Sequence, residues 1–113
     1  MDAGKRLENR PCEGKLSIIM PAYNEEKVIQ NSIRETALEM ERWECPYEII
    51  VVDDGSTDST NLQIEAALKE ISRAHSVCCD GNCGKGVALR TGFEHCSGDL
   101  VAFLDADLEL HPR

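Results

Sequence analysis

Tyr47-Glu48-Ile49-Ile50-Val51-Val52-Asp53-Asp54-Gly55-Ser56-Thr57-Asp58 is the stretch on which the fold turns. Six residues dominated by Ile and Val read as a buried strand. Asp53-Asp54-Gly55 is a turn, because Asp bonds its own backbone and Gly accepts the conformations that other residues resist. Ser56-Thr57-Asp58 then opens a helix that runs to about Ser72, with Leu62, Ile64, Ala67, Leu68 and Ile71 expected inward. A strand that runs straight into a helix is half of a βαβ unit.

The neighbouring segments repeat that unit. Leu16-Ser17-Ile18-Ile19-Met20 is a short apolar run stopped by Pro21. From Glu25 to Glu44 the apolar residues Val28, Ile29, Ile33, Ala37, Leu38 and Met40 recur near a 3.6 period, and Asn24 is placed to cap that helix. A less distinct strand is expected near His75 to Cys79, a loop from Gly81 to Gly84, a helix from Lys85 to Cys96, and a fourth strand from Asp99 to Leu104. The pattern is βαβαβαβ, which implies parallel strands joined by right-handed helical crossovers. Continuous apolar strands fit a sheet covered on both faces. The fold class is therefore α/β, a Rossmann-like parallel sheet in the order 3-2-1-4 with helices on both faces. In such sheets ligands bind beyond the carboxyl ends of the strands, where the order reverses. Here that point lies between strands one and four. It brings the Pro21-Ala22-Tyr23-Asn24 loop to one side of a crevice and Asp105-Ala106-Asp107 to the other.

Composition agrees with this and narrows the function. The 113 residues make one domain or part of one; they are 42% hydrophobic but only 4% aromatic, so the core rests on Ile, Val, Leu and Ala. Residues 1–15 are polar and read as a solvated tail ahead of a domain spanning 16–113. The net charge of −9 and the lack of a basic stripe argue against nucleic acid as a partner. No apolar run approaches the roughly 20 residues of a membrane span, and the N-terminus lacks a signal-peptide core. The expected location is the cytoplasm, or the cytoplasmic face of a membrane for a longer protein. Cys78, Cys79 and Cys83 cluster without the paired Cys-x-x-Cys spacing of a zinc site. All six cysteines are expected to be free thiols.

Asp105 and Asp107 carry the chemistry. Two carboxylates one residue apart at a strand's mouth suit a hard divalent cation, which takes oxygen ligands and is often shared with substrate phosphates. Gly84-Lys85-Gly86, at the start of a helix, lacks the spacing of a P-loop.

Taken together, these motifs closely resemble the family-2 glycosyltransferases of GT-A fold, and most of all the dolichyl- and polyprenyl-phosphate sugar synthases. The resemblance runs through Ile18-Ile19-Met20-Pro21-Ala22-Tyr23-Asn24-Glu25-Glu26, Ile49 to Asp58, Gly84-Lys85-Gly86, Arg90-Thr91-Gly92-Phe93, Ser97-Gly98-Asp99, Asp105-Ala106-Asp107-Leu108-Glu109 and Pro112. It implies that Pro21, Ala22, Tyr23 and Glu25 line a nucleotide pocket completed by Ala106. It implies that Asp53 or Asp54 accepts a base N–H, and that Lys85 lies near the diphosphate. Asp105 and Asp107 would hold Mg²⁺ or Mn²⁺, directly or through water, with Glu109 as a third candidate ligand.

The reaction implied is inverting transfer of a sugar from a GDP- or UDP-linked donor to a lipid phosphate or saccharide acceptor. Family members continue well past the metal motif. The resemblance therefore places the base and acceptor site beyond Arg113, with no catalytic residue in this chain and little turnover by it alone. It also leaves the edge of strand four open to self-association. Two other readings compete. One is a non-catalytic nucleotide-sugar- or metal-binding module that needs a partner chain or a further, C-terminal half. The other is a response-regulator-like domain with Asp80 as phosphoacceptor, which leaves the Tyr-Asn-Glu loop and the Gly-Lys-Gly turn unexplained.

Overall fold

The computed structural model describes residues 14–79 and 84–106. The elements alternate as β1 (Leu16–Ala22), α1 (Ile29–Trp43), β2 (Tyr47–Asp53), α2 (Thr60–Leu68), β3 (Ala74–Cys78), α3 (Lys85–Glu94) and β4 (Leu100–Phe103). All strand pairs are parallel, in the order β3-β2-β1-β4. The register sets Ala22 beside Asp53 and Asp53 beside Cys78. β4 pairs with β1 only from Leu16↔Leu100 to Ile19↔Phe103. The carboxyl ends of β1, β2 and β3 thus share one rim, and the chain leaving β4 runs along it towards Asp105.

Side chains alternate between two layers. Ile18, Met20, Ile49 and Val51 meet Ile29, Ile33 and Ala37 of α1 and Ile64 and Ala67 of α2. Ile19, Ile50 and Val52 meet Ala88 of α3 on the other face. Every residue of β2 is buried, which is why it reads as an unbroken apolar run.

α3 can lie close to the sheet because of Gly92. A Cβ there would stand 2.6 Å from Ile19 Cγ2 and 3.0 Å from Val52 Cγ2. Both neighbours are fully buried and have nowhere to move. Gly92→Ala would gain about 1 kcal/mol of helix propensity but add overpacking of about 1–3 kcal/mol. The expected net result is a melting temperature lower by several degrees. A scanning-calorimetry midpoint at or above that of the parent would refute the close-packing account.

One polar group sits deep in the sheet. Glu48 of β2 is buried, and its Oε2 accepts hydrogen bonds from Ser17 Oγ (2.6 Å) and from the backbone N–H of Ser97 (2.6 Å). Lys15 Nζ lies 3.4 Å from its other oxygen. The N–H of Gly98 donates to Ser17 Oγ at 2.8 Å, and a Cβ at Gly98 would meet that oxygen at 2.5 Å. This cluster ties the starts of β1, β2 and β4 together. It holds the Glu48 carboxyl at about 2, far below its ordinary 4.5: burial alone would raise it, but the hydroxyl and N–H donors and Lys15 outweigh burial.

Several element boundaries and facings depart from the sequence expectation. α1 begins at Ile29 rather than Glu25, and Asn24 does not cap it. Val28, which immediately precedes α1, Leu38 on α1 and Leu62 on α2 are exposed rather than inward, at 38%, 63% and 68%. α2 starts at Thr60, because Ser56, Thr57 and Asp58 are engaged in loop contacts instead of a first helical turn. Among the described cysteines, Cys78, Cys79 and Cys96 are in no disulfide, but Cys45 is disulfide-bonded, against the expectation of thiols throughout.

Among the described residues, β4 is one of the two edge strands, beside β1. Leu100 and Phe103 are 69% and 58% exposed. Beside them an apolar groove of about 490 Å³ runs between the sheet and α1, walled by Ile18, Met40, Ala102, Phe103 and Leu104.

Candidate functional site

The rim at the carboxyl end of the sheet is built from three loops. The first leaves β1 at Ala22. Asn24 has a left-handed backbone (φ 50°), a conformation Asn tolerates better than most residues. That turn aims Asn24 Oδ1 at the second loop, where it accepts from the N–H groups of Thr57 (2.8 Å) and Asp58 (3.3 Å). In return, Ser56 Oγ accepts from Asn24 N–H (2.9 Å) and Thr60 Oγ1 from Glu25 N–H (2.8 Å). Asp54 N–H donates to Ala22 O at 2.9 Å. Asp58 accepts from Thr60 and from the N–H of Glu26, and its carboxyl is held below the usual range; burial opposes this, but the Thr60 hydroxyl and N–H prevail. The first two loops therefore form one stitched unit. Asn24, read from sequence as a helix cap, is its central acceptor.

The two carboxylates after β2 part company. Asp53 Oδ1 accepts from Ser56 N–H (3.0 Å) and Oδ2 from Asn61 Nδ2 (3.4 Å), so both oxygens are spent on the turn and the start of α2. Asp54 faces the opposite way. It lines a cavity and accepts from the Gly84 N–H at 3.1 Å. Of the pair left open by the sequence, Asp54 is the one at the cavity.

That cavity, about 390 Å³, is lined by Pro21, Ala22, Tyr23, Glu25, Asp54, Gly84, Lys85, Asp105 and Ala106. Its size is ordinary for a small-molecule site. Eight of these nine residues are the ones singled out from sequence, drawn from four separate stretches of chain. Tyr23 is 40% exposed, so its ring face is accessible. Gly84, with φ 93°, lets the chain turn into α3, whose N-terminus faces the cavity with its positive dipole end. Lys85 Nζ and Asp105 Oδ1 form a 2.8 Å ion pair across the opening.

The donor set suits a hard divalent cation. Among the described residues, the titratable side chains lining the cavity are the carboxylates Glu25, Asp54 and Asp105, the ammonium Lys85 and the phenol Tyr23, with no thiol or imidazole. Asp105 already holds a cationic group at short range. A phosphate-bearing anion entering beside three carboxylates would need more positive charge than Lys85 supplies. Among the described residues no three His, Cys, Asp or Glu side chains gather as a preformed metal cage. Asp107 and Glu109 lie outside the described residues, as do Cys83 and Asp80. Cys78 is described at the end of β3, where it accepts from Asn61 Nδ2 at 3.4 Å; burial and the nearby Asp53 charge push its thiol up.

The family model for glycosyl transferase family 2 matches residues 17–113. The chain belongs to that family. Solved structures agree on its GT-A fold. A mannosyltransferase from Pyrobaculum calidifontis, in complex with GDP-Man and Mn²⁺, is similar with a TM-score of 0.74 and 26% identity over 88% of this chain and 29% of that one. M. tuberculosis glucosyl-3-phosphoglycerate synthase gives 0.70 and 32% over 92% of this chain and 38% of its own length. S. aureus TarS 1-349 in complex with UDP-GlcNAc gives 0.68 and 31% over 82% and 26%. This family-2 chain thus spans between about a quarter and two-fifths of the length of these three relatives.

Ser32, whose hydroxyl donates to the backbone carbonyl of Ala106 on the cavity wall, Asn61 and the acceptor role of Asn24 escaped the sequence reading. Asn61 and Ser32 sit on helices at positions that look like ordinary polar faces. Their significance depends on which loops those helices reach.

Proposed function

We propose that this chain is the donor-binding part of an inverting, metal-dependent glycosyltransferase that uses a GDP- or UDP-linked sugar, with a polyprenyl phosphate as acceptor. The observation that carries the reading is the convergence of Pro21, Ala22, Tyr23, Glu25, Asp54, Lys85 and Asp105 on one cavity at the sheet's switch point. Family membership and relatives that hold GDP-Man with Mn²⁺ or UDP-GlcNAc support it.

In this reading the Tyr23 ring offers a face to the base. Asp54 accepts a base N–H, as either uracil or guanine can donate. Lys85 and the α3 N-terminus face the diphosphate. Asp105, with Asp107 and Glu109, holds Mg²⁺ or Mn²⁺. A bound divalent cation supplies neutralisation of the diphosphate as it departs. The polyprenyl phosphate rests on the motif resemblance, in particular Asp105 to Glu109 with Pro112. Such an acceptor is already anionic and needs no strong base.

Isothermal titration with UDP and GDP, each with and without Mn²⁺, tests this. One of the two nucleotides should bind with Mn²⁺ and far more weakly without it. Absence of binding by either nucleotide with Mn²⁺ present would end the reading.

A second reading has its own observation. The open apolar edge at Leu100 and Phe103 favours a nucleotide-sugar module that acts only when further polypeptide covers that edge. On this view the 113-residue chain self-associates through β4 and shows no sugar transfer alone. Sedimentation should show concentration-dependent dimers that Phe103→Lys disperses. A monomer at all concentrations, or robust turnover by the isolated chain, would refute it.

A further inference from the structure

α1 packs its apolar stripe, Ile29, Ile33 and Ala37, against the sheet, and Ser32 lies within the same buried surface at 2% exposure. A buried hydroxyl needs a partner. In a helix the nearest is the carbonyl four residues back. Thr36 takes that route, donating from Oγ1 to Ser32 O at 2.8 Å. Ser32 does not. Its Oγ donates to the backbone carbonyl of Ala106, 74 residues away in sequence.

Ala106 is the residue between the two carboxylates of Asp105-Ala106-Asp107, and it is itself buried, with its methyl in the α1 layer. The chain leaving β4 is therefore held on both sides of Asp105. On one side Leu104 N–H donates to Ile19 O at 3.0 Å. On the other, Ser32 holds the Ala106 carbonyl. Asp105 stands between these two fixed points and faces the cavity with Lys85.

We infer that Ser32 is a positioning residue for the cation end of the site: its hydroxyl fixes the Ala106 carbonyl and so presets the Asp105 carboxylate. This rests on the donor-binding reading above. Ser32 touches neither nucleotide nor cation. It removes the backbone freedom that cation binding would otherwise have to freeze. Fixing one residue costs enough that losing the tether should weaken cation binding roughly tenfold.

The test combines Mn²⁺ titration by electron paramagnetic resonance, nucleotide titration without metal, and hydrogen exchange of the 104–106 amides. It uses the parent chain, Ser32→Ala and Ser32→Thr. Ser32→Ala should bind Mn²⁺ roughly tenfold more weakly, in the presence of the nucleotide that binds, with metal-free nucleotide affinity unchanged. Its 104–106 amides should exchange faster while those of β1 and β2 do not. Ser32→Thr, which keeps the hydroxyl, should restore Mn²⁺ binding. Equal Mn²⁺ affinity in Ser32→Ala and parent overturns the inference. So does a loss shared equally by metal-free nucleotide binding, which would mark general destabilisation. If the parent binds no Mn²⁺, the donor-binding reading falls instead. Hydrogen exchange then still decides on the tether: unchanged 104–106 exchange in Ser32→Ala overturns it, and selectively faster exchange supports it.

Discussion

Glu48→Gln should cost this domain roughly 3 kcal/mol of stability at neutral pH and remove most of its sensitivity to acid. The carboxylate accepts from Ser17 Oγ and from Ser97 N–H and pairs with Lys15. A glutamine offers one acceptor oxygen and turns an N–H₂ towards donors that need acceptors, leaving buried groups unsatisfied. Because the folded carboxyl titrates near 2 rather than 4.5, the native state favours the ionised form. Its contribution is complete above about pH 4.5 and is lost as pH falls from there through about 2. A lowering of that size corresponds to roughly 3 kcal/mol. Urea titrations of parent and variant from pH 7 to pH 2 measure this directly. The parent should lose stability steeply below pH 4.5, and the variant should start lower and fall less. Parallel curves for the two proteins would mean that Glu48 is not the group being titrated. A second consequence follows from its position. The cluster fixes the Ser97-Gly98 turn that leads into β4, so loosening it should also blur the register that delivers Asp105 to the opposite end of the strand.

The sheet order and the crevice were legible in the sequence because they depend on local signals. Runs such as Ile49 to Val52 are strands in any context that buries both faces. Turns such as Asp53-Asp54-Gly55 announce themselves chemically. Eight of the nine cavity-lining residues could be named because they lie in short motifs, each directly after a strand or at a helix start. What could not be read depends on three-dimensional closure. Asn24 looks like a helix cap, and only its left-handed backbone redirects the side chain to Thr57 and Asp58. Adjacent Asp53 and Asp54 are equivalent on paper. The sheet end turns one into the loop and the other into the cavity. Glu48 looks like the polar flank of a strand, and nothing local shows that Ser17 and Ser97 converge on it. Leu38 and Leu62 fit a helical period but face outward, since each helix buries only a narrow stripe against a sheet this small.

Asp105→Asn with Asp107→Asn should abolish the dependence of nucleotide binding on a divalent cation. Removing groups that merely support metal ligands costs about 10–100-fold in metal affinity, so removing both charges at the motif should cost at least that. By linkage, whatever factor the cation adds to nucleotide affinity the nucleotide adds to cation affinity, and both should vanish together in the variant. Lys85 makes the result diagnostic. In the parent its ammonium is 2.8 Å from Asp105 Oδ1 and is neutralised there. In the double variant that charge is released next to the position proposed for the diphosphate. Metal-free nucleotide binding should therefore be no weaker than in the parent, and somewhat stronger at low salt, where a solvated ammonium acts over a longer range. Titrations of both proteins with UDP and GDP, with and without Mn²⁺, at low and moderate salt, separate the possibilities. Loss of binding under all conditions would mean that the two carboxylates hold the cavity together rather than hold a cation. Retention of the full Mn²⁺ effect would show that the ion sits elsewhere, and Glu25 and Asp54, the other carboxylates on the cavity wall, would then be the groups to replace.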